Sequence, residues 1–446
     1  MSRAVFLLDL DRCTGCGACA LACRLENDRP AGTSFRHVTT FNPSRSPLAP
    51  VLHLSLACNH CEKPACLAAC PAGAYARDPL TGAVVLRSER CLGCTYCAWV
   101  CPYEAPDYDA QAGLMTKCTF CQPRLERGEE PACTQACPVD ALNFGWRDAV
   151  ACPPARAPGL PEVGLRPALV IAPLRLRRAA PPGLPLGCAP PASPRRTTWQ
   201  GLRTEWPLAV FSCFATGLVA WFASGVLGGS APRPLPFLLL AALGAGVSVL
   251  HLGRPWRLWR AAANLRASWV SREVVLLAAF YVTAGASLAG APAAPALAWT
   301  GFALGWAALA AMDMVYRVPG QAVRAVPHSA MGTLTAIWLT ALLVGDPAVA
   351  TAAGAVKLAL WLRRGQAARR ALRRRGASLG AARVLLGLVL PAVVWAATGA
   401  PPGWPLLALV LAGEALDRAE FYAELAFLTP RRQASRDLTA QPFTAS

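Results

Sequence analysis

Hydrophobic and polar positions divide the chain into two parts with different patterns. Before residue 150 the apolar runs are short, and Ala4–Leu10, Val51–Ala57 and Gly82–Arg87 have the length and composition that predict strands. After Trp206 the apolar runs approach the roughly 20 residues that a membrane helix needs. The pattern predicts an α+β module followed by an all-α membrane bundle.

Eight apolar segments predict eight transmembrane helices in the second part. They cover about 206–228, 235–253, 273–290, 295–316, 330–346, 349–362, 381–398 and 403–428. The sixth is short and contains Lys357, which makes it the weakest of the set. A single segment of this kind could be a buried helix of a soluble protein, but eight in series favour a polytopic membrane domain.

The residues between the two parts are rich in proline, with pairs such as Pro153-Pro154. Proline lacks an N–H and fixes φ, so this stretch favours an extended, semi-rigid linker. The apolar piece 167–173 is too short to span a bilayer, and we interpret it as docking on the module or on a partner. The predicted domains are residues 1–150, 151–205 and 206–446.

Charge changes along the chain in the same places. Residues 1–150 contain 14 basic and 15 acidic side chains, whereas residues 206–446 contain 21 basic and 8 acidic ones. The whole chain has 43 basic and 25 acidic side chains. The charged fraction of 15% lies below the roughly 25% of soluble domains, which excludes a disordered protein or an ordinary soluble enzyme. Of the basic residues 40 are Arg and 3 are Lys. Such a bias reflects composition, and no nucleic-acid partner is expected.

Arginines mark one side of the predicted bundle. They concentrate in the connections 254–272, 317–329 and 363–383 and in the tail after residue 428, while the alternate connections carry almost no charge. By the positive-inside rule the basic connections face the cytoplasm. With eight spans, residues 1–150 lie on that same side. Because no apolar segment near residue 1 has the length of a secretory signal, we expect a bacterial-type inner membrane protein whose cysteine-rich module is cytoplasmic.

Sixteen of the 19 cysteines form four quartets in the first 150 residues. The quartets are Cys13, Cys16, Cys19, Cys23; Cys58, Cys61, Cys66, Cys70; Cys91, Cys94, Cys97, Cys101; and Cys118, Cys121, Cys133, Cys137. In each, three cysteines are followed by a fourth after three intervening residues. The third quartet has the strict C-x2-C-x2-C-x3-C-P spacing of bacterial ferredoxins.

This spacing predicts four [4Fe–4S] clusters in a ferredoxin-like module. Three thiolates of one loop bind three irons of a cubane, and the fourth cysteine, expected at the start of a helix, serves the other cluster of a pair. Zinc sites usually have paired C-x2-C with longer gaps, and disulfides need an oxidising compartment. Cys152, Cys188 and Cys213 fit no quartet, and we interpret them as unligated thiols.

His251 and Glu273 are candidate residues of a quinol site. They flank the same basic connection, near an exit to water, and a quinol that gives up two electrons also releases two protons. Two plainer interpretations remain open. Glu273 also suits the positive end of a helix dipole, and His251 could hydrogen-bond a loop.

Charged residues in the last segment recur at helical spacing. They are Glu414, Asp417, Arg418 and Glu424. We interpret them as one inward face, with Glu414 and Arg418 paired at i,i+4 in a structural ion pair. His251 and His328 are the histidines of the membrane region. Two bis-His haems would need four, so a two-haem cytochrome b is excluded and no haem is expected.

Several stretches resemble the dimethyl sulfoxide reductase family. The segments that resemble its iron–sulfur subunit are CPYEAPDY, MTKCTFC and PACTQACPVDAL, from Cys101 onward. Those that resemble its quinol-oxidising anchor subunit are EWPLAVF from Glu205, LHLGRP from Leu250 with the following SREV, and LAGEALDRAEFY from Leu411. The fusion of the two subunits in one chain departs from the usual pattern.

The resemblance implies an exchange of the fourth cysteine between quartets. It pairs Cys13, Cys16, Cys19 with Cys137; Cys118, Cys121, Cys133 with Cys23; Cys58, Cys61, Cys66 with Cys101; and Cys91, Cys94, Cys97 with Cys70. It also places the first and fourth quartets toward a catalytic partner and the other two toward the membrane. The family's quinol-site residues map onto His251 and Glu273.

For the whole protein, the resemblance implies an electron-transfer chain that runs from menaquinol or a related quinol to a separate subunit. That subunit would carry the molybdopterin and reduce dimethyl sulfoxide or a similar S- or N-oxide. One alternative is the same electron-transfer chain in a polysulfide or thiosulfate reductase or in a formate dehydrogenase-like complex. An alternative of another class is a non-redox membrane scaffold whose cysteines bind zinc.

Overall fold

The computed structural model describes residues 2–42, 51–148, 160, 163–172, 198–228, 231–290, 294–319, 327–372, 383–398 and 404–424. These residues fall into two compact units, one within residues 1–195 and the other within 196–426. Cys152, Cys188 and most of the predicted linker lie outside the described residues.

A three-stranded sheet holds the first unit together. Strand β1 (Ser2–Asp9) pairs antiparallel with β8 (Leu142–Asp148), which comes from the far end of the unit, and parallel with β9 (Leu169–Ala172). The predicted strand at Ala4–Leu10 is thus confirmed. Because β9 lies within 167–173 and buries Leu169, that piece docks on the module, as one of its two interpretations required.

The other described elements of the first unit are three two-stranded hairpins, five short α-helices and the 3-10 turn Ser88–Arg90. The hairpins are β2 (His37–Phe41) with β3 (Leu52–Leu56), β4 (Tyr75–Arg77) with β5 (Val84–Leu86), and β6 (Asp107–Asp109) with β7 (Leu114–Thr116). The helices are α1 (Ala18–Glu26), α2 (Ala65–Ala69), α3 (Tyr96–Trp99), α4 (Gln122–Glu126) and α5 (Ala132–Gln135). The apolar core is small, and cysteine side chains form part of it.

Helices are the regular elements of the second unit among the described residues. Its helices are α6 (Thr198–Val226), α7 (Pro234–Val249), α8 (Trp269–Leu288), α9 (Ala294–Val315), α10 (Gly332–Val344), α11 (Pro347–Leu372), α12 (Leu390–Thr398, after a π-helical turn Leu385–Val389) and α13 (Trp404–Glu424). A helix thus occurs at each of the eight predicted places. Three stretches are long and apolar enough to cross a membrane, namely Trp206–Val226, Trp269–Leu288 and Pro295–Val315, and three helices are shorter. Eight spans therefore remain a prediction.

The helices of the second unit approach one another closely at small residues. A Cβ added to Gly413 on α13 would lie 2.4 Å from the Cα of Gly387 in the π-helical turn. Only glycine permits that separation of two backbones. Elsewhere the contact is aromatic, since Phe222, Phe237 and Phe280 from α6, α7 and α8 meet with ring centroids 5.7–6.0 Å apart.

Candidate functional site

The four cysteine loops share one backbone feature, a positive φ at the same position. In each quartet the residue two positions after the first cysteine has a positive φ. These residues are Gly15 (72°), His60 (39°), Gly93 (70°) and Phe120 (67°). The left-handed turn leaves the amides of Gly93 and Phe120 able to donate hydrogen bonds of 3.4 Å to the Sγ atoms of Cys91 and Cys118. Amide bonds to sulfur are one of the means by which proteins tune iron–sulfur centres.

A short helix separates the third and fourth cysteine of every quartet. The third cysteine is the second residue of α1, α2, α3 or α5; these are Cys19, Cys66, Cys97 and Cys133. The expectation that the fourth cysteine begins a helix is wrong, because Cys23 lies inside α1 while Cys70, Cys101 and Cys137 follow the other three. Four residues advance a helix by about 6 Å on one face. This advance carries the fourth cysteine away from the loop of its own quartet.

The fold assembles the sixteen cysteines into four groups. Group 1 contains Cys13, Cys16, Cys19 and Cys137, and group 2 contains Cys58, Cys61, Cys66 and Cys101. The four cysteines of each group line one common space. Group 3 contains Cys91, Cys94, Cys97 and Cys70, and group 4 contains Cys118, Cys121, Cys133 and Cys23, as their mutual electrostatic interactions indicate. Each group takes three cysteines from one quartet and one from another, as the resemblance implies. Cluster binding by these groups remains a prediction.

The groups follow one another in a row. Cys19 of group 1 interacts electrostatically with Cys133 of group 4, and Cys118 of group 4 with Cys58 of group 2. Cys97 of group 3 interacts with Cys66 of group 2. The order in space is therefore group 1, group 4, group 2, group 3, which differs from the order in sequence.

Burial suppresses ionisation of these thiols. Burial, with a smaller contribution from the neighbouring Cys58 thiol, raises the pKa of Cys66 and of Cys101 to about 12. The pKa of Cys121 is raised to about 11 for the same main reason. Thiolates so placed need a cationic partner, and coordination to a metal deprotonates a thiol outright. The donor set thus fits an iron–sulfur centre. Within the described residues, no group of three or more His, Cys, Asp or Glu side chains is arranged to hold a single metal ion.

His251 and Glu273 lie at the same end of the helical unit. His251 follows α7, and Glu273 is buried in the second turn of α8. The two helices run antiparallel, since Leu238 near the start of α7 meets Gly285 near the end of α8. The His251 Nδ1 atom hydrogen-bonds the Ser248 carbonyl. A carbonyl only accepts, so Nδ1 carries the proton and Nε2 is the acceptor nitrogen of the ring.

Sequence reasoning missed a buried ion-pair network on α11 and α13. Lys357, which weakens the prediction of the sixth span, is fully buried. Its Nζ donates to Glu414 Oε2 at 2.9 Å, to the Ser329 carbonyl at 2.8 Å and to Thr335 Oγ1 at 2.8 Å. Glu414 thus forms an ion pair with a residue of another helix, and its predicted pairing with Arg418 on the same helix stays a prediction. The signal is present in the sequence, because a lysine inside an apolar helix needs a partner.

Asp417 is the second acidic centre of the network. Its carboxylate accepts from Arg383 Nη2 at 2.6 Å and from Ser329 Oγ at 3.0 Å, and lies 3.7 Å from Lys357 Nζ. His328 Nδ1 is 3.6 Å away. The acidic face of α13 is therefore turned inward, as predicted. The Glu424 side chain lies outside the described residues.

Three family descriptions match different parts of the chain. Residues 6–25 match the 4Fe-4S binding domain and residues 50–147 the 4Fe-4S dicluster domain. Residues 234–358 match the DMSO reductase anchor subunit (DmsC). The two units therefore resemble proteins of two different kinds.

Curated relatives match the first unit. A chain of the anaerobic dimethyl sulfoxide reductase of Haemophilus influenzae is 39% identical over 153 residues, which are 32% of this chain and 74% of the relative. A subunit of the sulfite dehydrogenase of Allochromatium vinosum is 37% identical over 166 residues, with 32% and 69% covered. The thiosulfate reductase electron transfer subunit PhsB of Salmonella typhi is 41% identical over 150 residues, with 33% and 78% covered.

Proposed function

This chain belongs to the dimethyl sulfoxide reductase family, as an iron–sulfur electron-transfer subunit fused to a membrane-anchor subunit, and we propose that it passes electrons from a membrane quinol to a molybdopterin-containing catalytic subunit. The observation that carries the proposal is the row of four cysteine groups. Electron transfer from a quinol to a distant acceptor requires a row of closely spaced one-electron centres.

Each group holds one [4Fe–4S] cluster in this proposal. When bound, these clusters supply one-electron carriers. The chain's own contribution is the four thiolates per group, the amides of Gly93, Phe120 and Ala74 that donate to cysteine sulfur at 3.3–3.4 Å, and the apolar side chains that exclude water. Group 1 uses Cys137, and group 4 uses Cys23, so the two quartets hold each other in place.

The quinol end lies at His251 and Glu273. The Nε2 atom of His251 accepts one proton of the quinol, and the Glu273 carboxylate accepts the other. Asp313 and Arg418 are the charged side chains that act electrostatically on Glu273. The quinol thereby gives its two electrons one at a time to the clusters. Its two protons leave on the side of the basic connections. In this proposal that side and the first unit face the cytoplasm, and the positive-inside rule applied to the Arg-rich connections supports this orientation.

The terminal reaction belongs to the partner subunit. Relatives are named for dimethyl sulfoxide and for thiosulfate reduction, and one for sulfite dehydrogenation. Reduction of an S- or N-oxide is the function the family match supports best. Thiosulfate reduction is the second candidate, because the thiosulfate reductase subunit is as similar to the first unit as the dimethyl sulfoxide reductase relative is.

The test is purification of the full chain in mild detergent, with analysis of metals, acid-labile sulfide and bound proteins. Four cubanes require about sixteen irons and about sixteen sulfides per chain, and the partner should contain molybdenum. Stoichiometric zinc without sulfide would contradict the cluster proposal and favour the scaffold. Iron and sulfide in a chain whose clusters are not reduced by a menaquinol analogue would contradict the quinol site alone.

A further inference from the structure

Arg36 is the largest fully buried side chain of the first unit, with 1% of its surface exposed. Its Nη1 atom donates to the Ser55 carbonyl at 3.3 Å and to Ser55 Oγ at 3.2 Å. The guanidinium lies 4.4 Å from the centroid of the Phe6 ring, which stacks on Phe120 at 4.2 Å. The charge is therefore held in one place by packing and by hydrogen bonds.

The other two nitrogens of the Arg36 guanidinium, Nε and Nη2, do not bond to Ser55. Among the described residues, neither Nε nor Nη2 of Arg36 donates to an oxygen or nitrogen atom, although both are buried, and the side chain that the guanidinium approaches is the Cys133 thiol. A buried cationic N–H without an acceptor is costly, so such groups normally face a partner. The arrangement indicates that an acceptor or a negative charge belongs beside Arg36.

The neighbours of Arg36 identify where that charge lies. Ser55 Oγ, which accepts from Arg36, is 3.5 Å from Cys19 Sγ of group 1. On its other side Arg36 interacts electrostatically with Cys133 and Cys118, both of group 4. Arg36 thus faces two consecutive groups of the row at once.

We infer that Arg36 is a positioning residue that holds a fixed positive charge between the clusters of groups 1 and 4 and raises the reduction potential of both. The inference rests on the proposed cluster binding. Reduction adds one negative charge to a cluster, and a nearby cation stabilises the reduced form. The effect is large in a water-excluded site, because the effective dielectric constant is low.

Lys117 shows that a buried cation also occupies the next gap. It interacts electrostatically with Cys118 of group 4 and with Cys66 and Cys101 of group 2. Its ammonium, however, donates to the carbonyls of Cys118, at 2.8 Å, and Val84. Arg36 differs because two of its nitrogens, Nε and Nη2, donate to no oxygen or nitrogen atom of the described residues and are available to a cluster.

The test is an EPR-monitored redox titration of the full chain with its clusters bound. In R36Q the midpoint potentials of two of the four clusters should fall, while the other two stay as in the unaltered protein. R36K keeps the positive charge, so its midpoint potentials should lie close to those of the unaltered protein. R12Q is the control: Arg12 also adjoins group 1 in sequence, but 54% of its side chain is exposed, so solvent screens its charge.

Two results would overturn the inference. R36Q with full iron and sulfide and four unchanged potentials would make Arg36 a packing residue. Loss of iron from R36Q and from R36M alike would make it a residue needed for assembly rather than for tuning. Absence of four EPR-active clusters from the unaltered protein is a different failure, since it refutes the cluster proposal before any variant is compared.

Discussion

Cys137 lines the same space as Cys13, although almost the whole first unit separates them in sequence. The pairing of β1 with β8 explains this contact. Leu8 lies opposite Leu142, and the amide of Asp9 donates to the Ala141 carbonyl at 2.8 Å. The sheet thus closes the unit end to end, and the cysteine that precedes β8 meets the loop that follows β1.

Replacing Cys137 by Ser should affect one cluster of the four. Group 1 would keep three thiolates, so its cluster should be lost or should lose one iron, while the other three groups keep theirs. Iron should fall by between about one and about four per chain. Iron and sulfide analysis with EPR measures this. C213S is the matched control, since Cys213 on α6 belongs to none of the four groups; iron loss from it, or a full complement in C137S, would contradict the grouping.

Removing either proton acceptor should slow quinol oxidation. In E273Q and in H251A, a menaquinol analogue should reduce the clusters of the full chain at least ~10-fold more slowly than in the unaltered protein. The reason is that a positioned general base contributes about 10²–10⁴-fold to the rate of proton transfer. Stopped-flow bleaching of the cluster absorbance gives the rate. D346N is the control: Asp346 caps α11 through the amides of Ala348 and Val349 and should leave the rate unchanged. Rates equal to the control in both variants would refute the quinol site.

Replacing Lys357 by Met should destabilise the helical unit. The change leaves the Glu414 carboxylate buried without its 2.9 Å partner, and breaking a buried pair in this way costs about 3–5 kcal/mol. Thermal unfolding of the full chain in detergent should show a lower midpoint. In the double variant with E414Q the loss should be smaller than the sum of the two single losses.

The exposed Lys63 supplies the control for that experiment, since K63M removes the same charge from the surface and should change stability by less than about 0.5 kcal/mol. Strict additivity of K357M and E414Q would show that the two side chains do not interact.

A methyl group at Gly413 should disturb the crossing of α13 with the π-helical turn. G413A places a Cβ at 2.4 Å from the Gly387 backbone, so the helices must separate, at a cost of about 1–3 kcal/mol. G246A is the matched control, because nothing lies within 4 Å of a Cβ there. It should leave stability unchanged or raise it by about 0.5–1 kcal/mol, as helix propensity dictates. The same unfolding measurement decides between these outcomes.

The sequence by itself determined the local chemistry of the first unit. Cysteine spacing fixes which three thiolates share a loop, because a few residues of chain can reach only around one centre. The spacing also predicts a helix near the fourth cysteine, although the helix begins before that residue rather than at it. Short apolar runs predict β1, β3 and β5, and long ones predict the helices of the second unit, because both patterns are periodic along the chain.

The tertiary structure decided what lies next to what. No spacing along the chain by itself gives the row of groups 1, 4, 2 and 3. The pairing of β1 with β8, for example, is what brings Cys137 to the loop of Cys13. Lys357 shows the same limit. In sequence it is a charge that weakens an apolar segment, whereas in the fold it is the partner of Glu414 on another helix. Charge pairing depends on distances of a few ångströms between segments far apart in the chain, and only the packed helices fix those distances.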